Sequence, residues 1–386
     1  MTESHNSFLP FTRPYLSEDA IQEVVDTLRS GWITTGPRVK KFEEDLAQYV
    51  QAPSVSCVSS ATAGLHLALA SLNLQPGDEV ITTSFTFIAT HNTIVQAGGT
   101  PVPIDVNRET YNIDCDLVEK AITPKTKAIV PVHFGGAPVD LDRIYALAKH
   151  HDIRIIEDAA HAIGTEYKGK KIGSFGDTQV FSFHPNKNMT TGEGGAISTY
   201  HTNTQEFVKL ARFHGINREA WNRFSKDGSQ LYDVTMAGYK YNMTDISAVL
   251  GIQQLVKLEM FNKKRTIIAE EYLDKFSDID EIVPLSYPAS ISIKHSWHLF
   301  VVRLNVESDM TRDMFMYKLK EKNIGTGIHF LPVHQQKYYA ETLSSKNIIL
   351  PNTEWNGDRI LSLPLFPDMV DHDIDDVVEA IKDILK

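Results

Sequence analysis

Cysteine is nearly absent from this chain: Cys57 and Cys115 are the only two in 386 residues. Two distant thiols make neither a disulfide framework nor a metal-ligand spacing, and they fit a reducing compartment such as the cytoplasm. Long apolar runs are missing too. None approaches the roughly 18 residues of a membrane span, and residues 1–10 lack the cationic stretch and apolar core of a signal peptide. Positive charge is in deficit, with a net charge of −11, which removes the basic surface that nucleic-acid binding requires. An anionic ligand must therefore be met by a local group of donors. The dinucleotide fingerprint Gly-x-Gly-x-x-Gly is absent, which argues against a nicotinamide enzyme. There is no internal repeat, low-complexity tract or long charge run. What remains is the composition of an ordinary globular protein, 42% hydrophobic and 23% charged, long enough for two or three domains.

Apolar patterning divides the chain into alternating short strands and helices. Ser17 is a good N-cap and Glu18 and Asp19 suit a first turn, so a helix opens there, with Ile21, Val24, Val25 and Leu28 as its apolar stripe. Residues 39–50 form a second helix. Strands are expected at 54–58, 80–83, 100–105, 128–132 and 153–156, with helices at 65–72, 89–97, 117–121 and 144–150 between them. This alternation predicts an α/β fold with a mostly parallel sheet covered by helices. Residues 246–276 read as one or two long helices. Beyond them a strand (298–304), a helix (312–321), a glycine-interrupted strand or bulge (324–330) and a closing helix (370–385) predict a small α+β domain. The expected division is a large domain over 1–250, then a linker helix and small domain over 251–386.

The chemistry concentrates in two stretches. Ile153-Arg154-Ile155-Ile156 runs into Glu157-Asp158-Ala159-Ala160-His161, a buried strand ending in carboxylates and small residues. A carboxylate at the C-terminal end of such a strand lies where open α/β sheets bind ligands, and small residues let a flat ring approach. Further on, Phe181-Ser182-Phe183 leads through His184-Pro185-Asn186 to Lys187, then to the turn Thr191-Gly192-Glu193-Gly194-Gly195 and a strand at 196–198. A lysine held in a pocket loses proton affinity, and the neutral amine attacks carbonyls. A lone lysine in a polar loop is usually a surface residue. Paired with Asp158 it matches what pyridoxal phosphate (PLP) requires: an amine for the aldehyde and a carboxylate for the pyridine nitrogen.

Other segments are less specific. Ser59-Ser60-Ala61-Thr62-Ala63-Gly64 opens a helix after a strand, which presents free N–H groups and a positive dipole end to a phosphate. Phe85 or Phe87 could stack on a ring, or both could be core residues. Trp32 to Pro37 is a loop with an aromatic and two hydroxyls, equally readable as a packed connection. Residues 217–234 read as a long loop near the site. Asn242 or Thr244 could cap the helix beginning at Asp245. His329, His334 and Lys337 cluster in sequence, either to meet a diphosphate or sugar hydroxyl or as solvated loop residues. Their spacing does not suit a metal, and none is expected.

The residues Glu157-Asp158-Ala159-Ala160-His161, Ser182 to Asn188 and Thr191 to Gly195 resemble those of the DegT-type sugar-nucleotide aminotransferases, and the resemblance runs from about Pro14 to the C-terminus. It implies the aspartate-aminotransferase-like PLP fold (type I). It further implies that Lys187 carries the cofactor and moves the proton, that Asp158 keeps the pyridine nitrogen protonated and that His161 orients the ring. Ala61, Thr62 and Ser182 would hold the phosphate, and Phe87 rather than Phe85 would stack. Asn242 would reach the phosphate of a neighbouring subunit, making a homodimer with shared sites. Thr34 would touch the nucleotide sugar, with His329 and His334 as further substrate candidates. Ser30 to Pro37, Gly238 to Asn242, Gly325 to Phe330 and Pro351 to Asn356 are similar to the UDP-4-amino-4-deoxy-L-arabinose–oxoglutarate aminotransferases, which serve lipid A modification. The expected reaction moves an amino group from glutamate to a nucleotide-linked 4-keto sugar, forming UDP-4-amino-4-deoxy-L-arabinose or a close relative. A UDP- or dTDP-4-keto-6-deoxyhexose for surface polysaccharide is the alternative. A PLP-binding regulatory protein would have no need of Lys187.

Overall fold

The computed structural model describes residues 7–217, 232–288, 291–305, 310–343 and 348–386. The chain opens with two helices, α1 (Glu18–Arg29) and α2 (Pro37–Val50). Ser17 caps α1, its hydroxyl accepting the Ala20 N–H at 3.4 Å. The alternating part then follows: β1 (Val55–Val58), α3 (Ala61–Ala70), β2 (Glu79–Thr83), α4 (Ile88–Gln96), β3 (Thr100–Ile104), α5 (Cys115–Ala121), β4 (Thr126–Val130), α6 (Leu141–His151) and β5 (Arg154–Asp158). A two-residue hairpin, β6 (Glu166–Tyr167) and β7 (Lys170–Lys171), precedes β8 (Thr178–Ser182), β9 (Gly195–Thr199) and α7 (Thr202–Ala211).

Seven strands form one sheet in the order β1-β9-β8-β5-β4-β2-β3. Only β9 runs against its neighbours, so the expected mostly parallel sheet is present. Its strands are buried on both faces, as a parallel sheet between helices requires. The two-residue period then sorts side chains. Ile155 joins the core built on Phe42, Phe181 and Phe183, and Ile156 joins the opposite core with Val180 and the inward residues of α3. Asp158 shares a face with Ile156, and Ser182 with Val180. Both polar groups therefore emerge at the same sheet end, on the side covered by α3 and α4.

Residues 246–276 are one helix, α8 (Asp245–Lys275), capped by Thr244 through the Ser247 N–H at 3.2 Å. Ala248 and Leu258 of α8 pack in the large core, whereas Ile268, Ala269 and Tyr272 pack in the C-terminal one. The C-terminal part contains β10 (Ile282–Pro284), β11 (Ile293–Lys294), β12 (Phe300–Leu304), α9 (Arg312–Glu321), α10 (Lys337–Thr342), α11 (Pro351–Gly357), β13 (Ile360–Leu363) and α12 (Asp371–Leu385). Strands β10, β12 and β13 form a small antiparallel sheet, and β11 joins the β6–β7 hairpin. Leu9, ahead of α1, belongs to this C-terminal core and bridges Ile324.

Two expectations need correction or fall outside this description. Residues 324–330 are not a strand: Ile324 and Gly327 make isolated bridges, to Leu9 and Ser362, with no continuous ladder between them. Most of the loop expected over 217–234, residues 218–231, lies outside the described residues. Among the described residues no helix is long and apolar enough to cross a membrane.

Candidate active site

A cavity of about 400 Å³ opens at the C-terminal ends of β5 and β8 and at the start of α3. Lys187, Asp158, His161, Ser182, Ala61 and Thr62 all line it, and so do Phe87 and His329. Sequence positions more than 250 apart thus meet in one chamber, at the place where the sheet topology directs a ligand.

Lys187 comes from the loop after β8. It is half-buried and turned into the cavity, and its surroundings push its pKa down to about 8. Loss of solvent lowers it, while the charge of Asp158 pulls the other way. Its Nζ lies 3.3 Å from His298 Nε2. Asp158 is buried, and that burial raises its pKa against the stabilising bonds it accepts. Thr90 Oγ1 donates to Oδ2 at 2.8 Å, and the Ala160 N–H donates to Oδ1 at 3.2 Å. Thr86 in turn shares a 2.8 Å hydroxyl contact with Thr90. The carboxylate is therefore aimed by two fixed donors, and no arginine lines the cavity among the described residues.

His161 is also buried. Its Nδ1 accepts the Gly135 N–H at 3.3 Å, which leaves the proton of the neutral ring on Nε2. Its ring stacks on Phe330, with centroids 5.7 Å apart and 22° between planes. Burial first, then the nearby Lys187 and His329, hold His161 well below the usual histidine range. His329 is likewise pushed down to about 3, by burial and then by Lys187. These rings stay neutral throughout the physiological range.

The start of α3 forms the third wall. Ser60 caps it by accepting the Ala63 N–H at 3.1 Å, and Ala61 and Thr62 follow with N–H groups at the positive end of the helix. Gly195 makes the close approach possible: a Cβ there would lie 2.6 Å from the Ala61 nitrogen and 2.8 Å from the Phe181 carbonyl oxygen. Of the two phenylalanines, Phe85 is fully buried against Tyr111 and Phe134, whereas Phe87 is 56% exposed and faces the cavity near Phe330.

Three expected residues lie elsewhere. His334 was a substrate candidate, but both of its ring nitrogens are engaged: Nδ1 with Ser84 Oγ at 2.7 Å and Nε2 with Glu354 Oε1 at 3.0 Å. It braces the end of β2 against α11 and does not line the cavity. Thr34 and Asn242 do not line it either. The Asn242 side chain donates to Thr35 Oγ1 at 2.6 Å, and the Asp245 N–H donates to the Thr34 carbonyl at 3.0 Å, so loop and strand are joined. Asn242 and Thr35 line a separate groove of about 640 Å³. Lys337, at the start of α10, is exposed.

Sequence reasoning missed His298, Thr90 and Phe330. Thr90 lies in an ordinary helix and His298 beside a buried strand, and neither position carries a local signal.

A lysine amine with lowered proton affinity, a buried carboxylate across from it and an anion cradle at a helix start are the parts that a fold-type I PLP enzyme site needs. The parts fit that cofactor: Lys187 for the aldehyde, Asp158 for the ring nitrogen, and the α3 start for the phosphate. The chain belongs to the DegT/DnrJ/EryC1/StrS aminotransferase family, whose model matches residues 14–382. It is 44% identical over 389 residues to the spore coat polysaccharide biosynthesis protein SpsC of Bacillus subtilis, covering 100% of this chain and 99% of SpsC. Spr1654 of Streptococcus pneumoniae, a proposed sugar aminotransferase, superposes in its PLP form with a TM-score of 0.88 at 34% identity, over 98% of each chain. Helicobacter pylori PseC, an aminotransferase of pseudoaminic acid biosynthesis, gives a TM-score of 0.89 at 28% identity, over 98% of this chain and 99% of PseC. This protein is thus a PLP-dependent sugar aminotransferase.

One consequence is local to Asp158. Thr90→Val keeps the shape and removes the donor to Oδ2. A hydrogen bond to a charged group contributes about 1.5–3 kcal/mol, so the chemical step is expected to slow by roughly tenfold or more. Single-turnover kinetics check this, and an unchanged rate would show that Thr90 only packs.

Proposed function

We propose that this enzyme transfers an amino group from glutamate to the keto carbon of a nucleotide-linked 4-keto sugar for a surface polysaccharide, acting in the cytoplasm. A UDP- or dTDP-4-keto-6-deoxyhexose is the favoured substrate. The observation that carries this choice is the apolar lining of the cavity that holds Lys187, to which Phe87, Ile328 and Phe330 contribute. Such a wall suits a C6 methyl, and the whole-length likeness to a spore coat polysaccharide protein agrees with it. The related pentose reading, formation of UDP-4-amino-4-deoxy-L-arabinose, rests on the sequence similarity at residues 30–37 and 325–330. One extra carbon against an apolar wall is worth about 1–3 kcal/mol, so 6-deoxyhexoses should exceed the pentose in kcat/KM by roughly 10- to 200-fold. A panel of UDP- and dTDP-4-keto sugars with glutamate, read by mass of the amino-sugar product, decides between them. Preference for the pentose would overturn the first reading.

The residues divide the work. Bound PLP supplies an electron sink that lets the amino group pass between carbon skeletons. Lys187 holds the cofactor and, once its amine is free, takes and returns the proton at the reacting carbon. Asp158 holds a proton on the pyridine nitrogen. His161, fixed by Gly135 and backed by Phe330, sets the ring plane. His329 faces the substrate.

Asn242 completes the cradle from a second subunit in this reading. Ala61, Thr62 and Ser182 are few donors for a dianion in a chain of net charge −11. Asn242 is absent from its own chain's cavity, as a residue serving a partner would be. Mixed Lys187→Ala and Asn242→Asp chains should then regain activity, because half of the heterodimer sites gather both defects and the other half carry none. No rescue after verified subunit exchange, or an active monomer by sedimentation, would refute the shared site.

A further inference from the structure

His298 enters the site from the C-terminal part of the chain. It precedes β12, yet its segment is tied to the large domain: the Ser296 N–H donates to the Gly136 carbonyl at 3.3 Å and the Leu299 N–H to the Gly135 carbonyl at 3.1 Å. Ser296 Oγ donates to the His161 carbonyl at 3.1 Å. From behind, the buried Arg265 donates through Nη1 to the carbonyls of Trp297 and His298, each at 3.2 Å, and of Leu365 at 2.9 Å. The imidazole is 3% exposed and packs on the His161 ring at 4.4 Å. A side chain held this firmly is poised to hold another.

Two observations separate His298 from a packing residue. Its Nε2 is the hydrogen-bond partner of Lys187 Nζ among the described residues, at 3.3 Å. Its Nδ1 is buried with no partner. An unsatisfied buried polar atom costs about 1–3 kcal/mol, which an apolar residue of similar size would avoid. Each such atom calls for an explanation, strain or function among them. Burial, then the nearby Lys187, His161, Arg265 and His329, hold its pKa well below the ordinary value, so the ring is neutral and one of its two nitrogens can accept.

We propose that His298 is the positioning residue for Lys187: its bare Nε2 accepts one N–H of the neutral amine and turns the lone pair of Nζ toward the reacting carbon. The imidazole proton then resides on Nδ1. A neutral amine has two N–H bonds and one lone pair. Anchoring one N–H fixes the lone pair's direction without consuming it, and misdirection of a reacting group is costly in rate. The role holds for any sugar, since it concerns the lysine alone. It does rest on Lys187 being the lysine that takes the cofactor.

The test uses loading of PLP onto the cofactor-free protein, followed by stopped flow. Phosphate-anchored binding, seen by quenching of intrinsic fluorescence, is the first phase. Covalent capture, in which the Lys187 amine adds to the aldehyde carbon and water leaves, gives the visible band of the second. In His298→Leu the first phase is expected at wild-type affinity, with capture slowed at least about tenfold, the loss of one hydrogen bond. His298→Gln, whose amide oxygen can replace Nε2 as acceptor, should recover most of that rate. With α-deuterated glutamate, the Leu variant should show a larger isotope effect in single turnover, because proton transfer by a misdirected amine becomes limiting. Where the Leu variant does not fold, His298→Asn, with its shorter reach, replaces it. Unchanged capture and isotope effect in the Leu or Asn variant would overturn the proposal. So would a Gln variant equally slow and equally lowered in Tm, which marks a structural role. Borohydride labelling of the wild type, mapped by peptide mass, separates the two failures: a label off Lys187 removes the premise, not the role of His298.

Discussion

Lys187→Ala is expected to lose turnover by at least about 10⁴-fold, since in the proposed mechanism one amine serves both as the covalent anchor and as the proton carrier. Nothing else in the cavity can replace it. It is the one lysine lining the cavity among the described residues, and the neutral rings of His161 and His329 are held by other contacts, Gly135 on His161 and Ser362 Oγ at 2.9 Å on His329. The cofactor should still bind, because the cradle at the α3 start is separate from Nζ. The purified variant is therefore expected to take up PLP without the visible band of the wild type. Borohydride should fix the cofactor on Lys187 in the wild type and on no residue in the variant. Residual turnover within a hundredfold of wild type would show that another lysine performs the chemistry.

Asp158→Asn comes next in size. The amide oxygen can keep the Ala160 N–H and the amide NH2 can donate to Thr90 Oγ1, so the shape survives while the negative charge is lost. Without that charge the ring nitrogen gives up its proton and the electron sink with it. Preorganised electrostatic contacts of this kind carry about 3–4 kcal/mol, so the chemical step should slow by roughly 10²- to 10³-fold. PLP affinity should change far less than the rate. Near wild-type turnover would mean that Asp158 only shapes the turn after β5.

The two halves of this site differed in how visible they were in the sequence. Asp158, Lys187 and the α3 start are local events: a buried strand, or a helix opening, ends in the functional group within a few residues. The same holds for Ser17 and Thr244 as helix caps. His298 meets Lys187 across 111 positions and His334 meets Ser84 across 250, and periodicity carries no information over such distances. His334 misled because two free-looking nitrogens in a loop gave no hint of Ser84 and Glu354. Residues 324–330 misled because alternating apolar residues mark a half-buried segment, whereas a strand also needs a continuous neighbour. Strands β6, β7 and β11, each two residues long, are too short to show any period. Thr34 and Asn242 were named only through family resemblance, and within this chain their segments bond to each other outside the cavity.

The bridge from Leu9 to Ile324 has a consequence for synthesis. At roughly 5–20 residues per second, a ribosome needs tens of seconds to travel from one to the other. During that interval the parallel sheet can assemble and Tyr15 can meet Gln254 and Phe261 of α8, but Leu9 still lacks its bridge partner. A peptide tag or truncation that disturbs Leu9 would therefore act late, on the C-terminal core, although it lies ahead of α1.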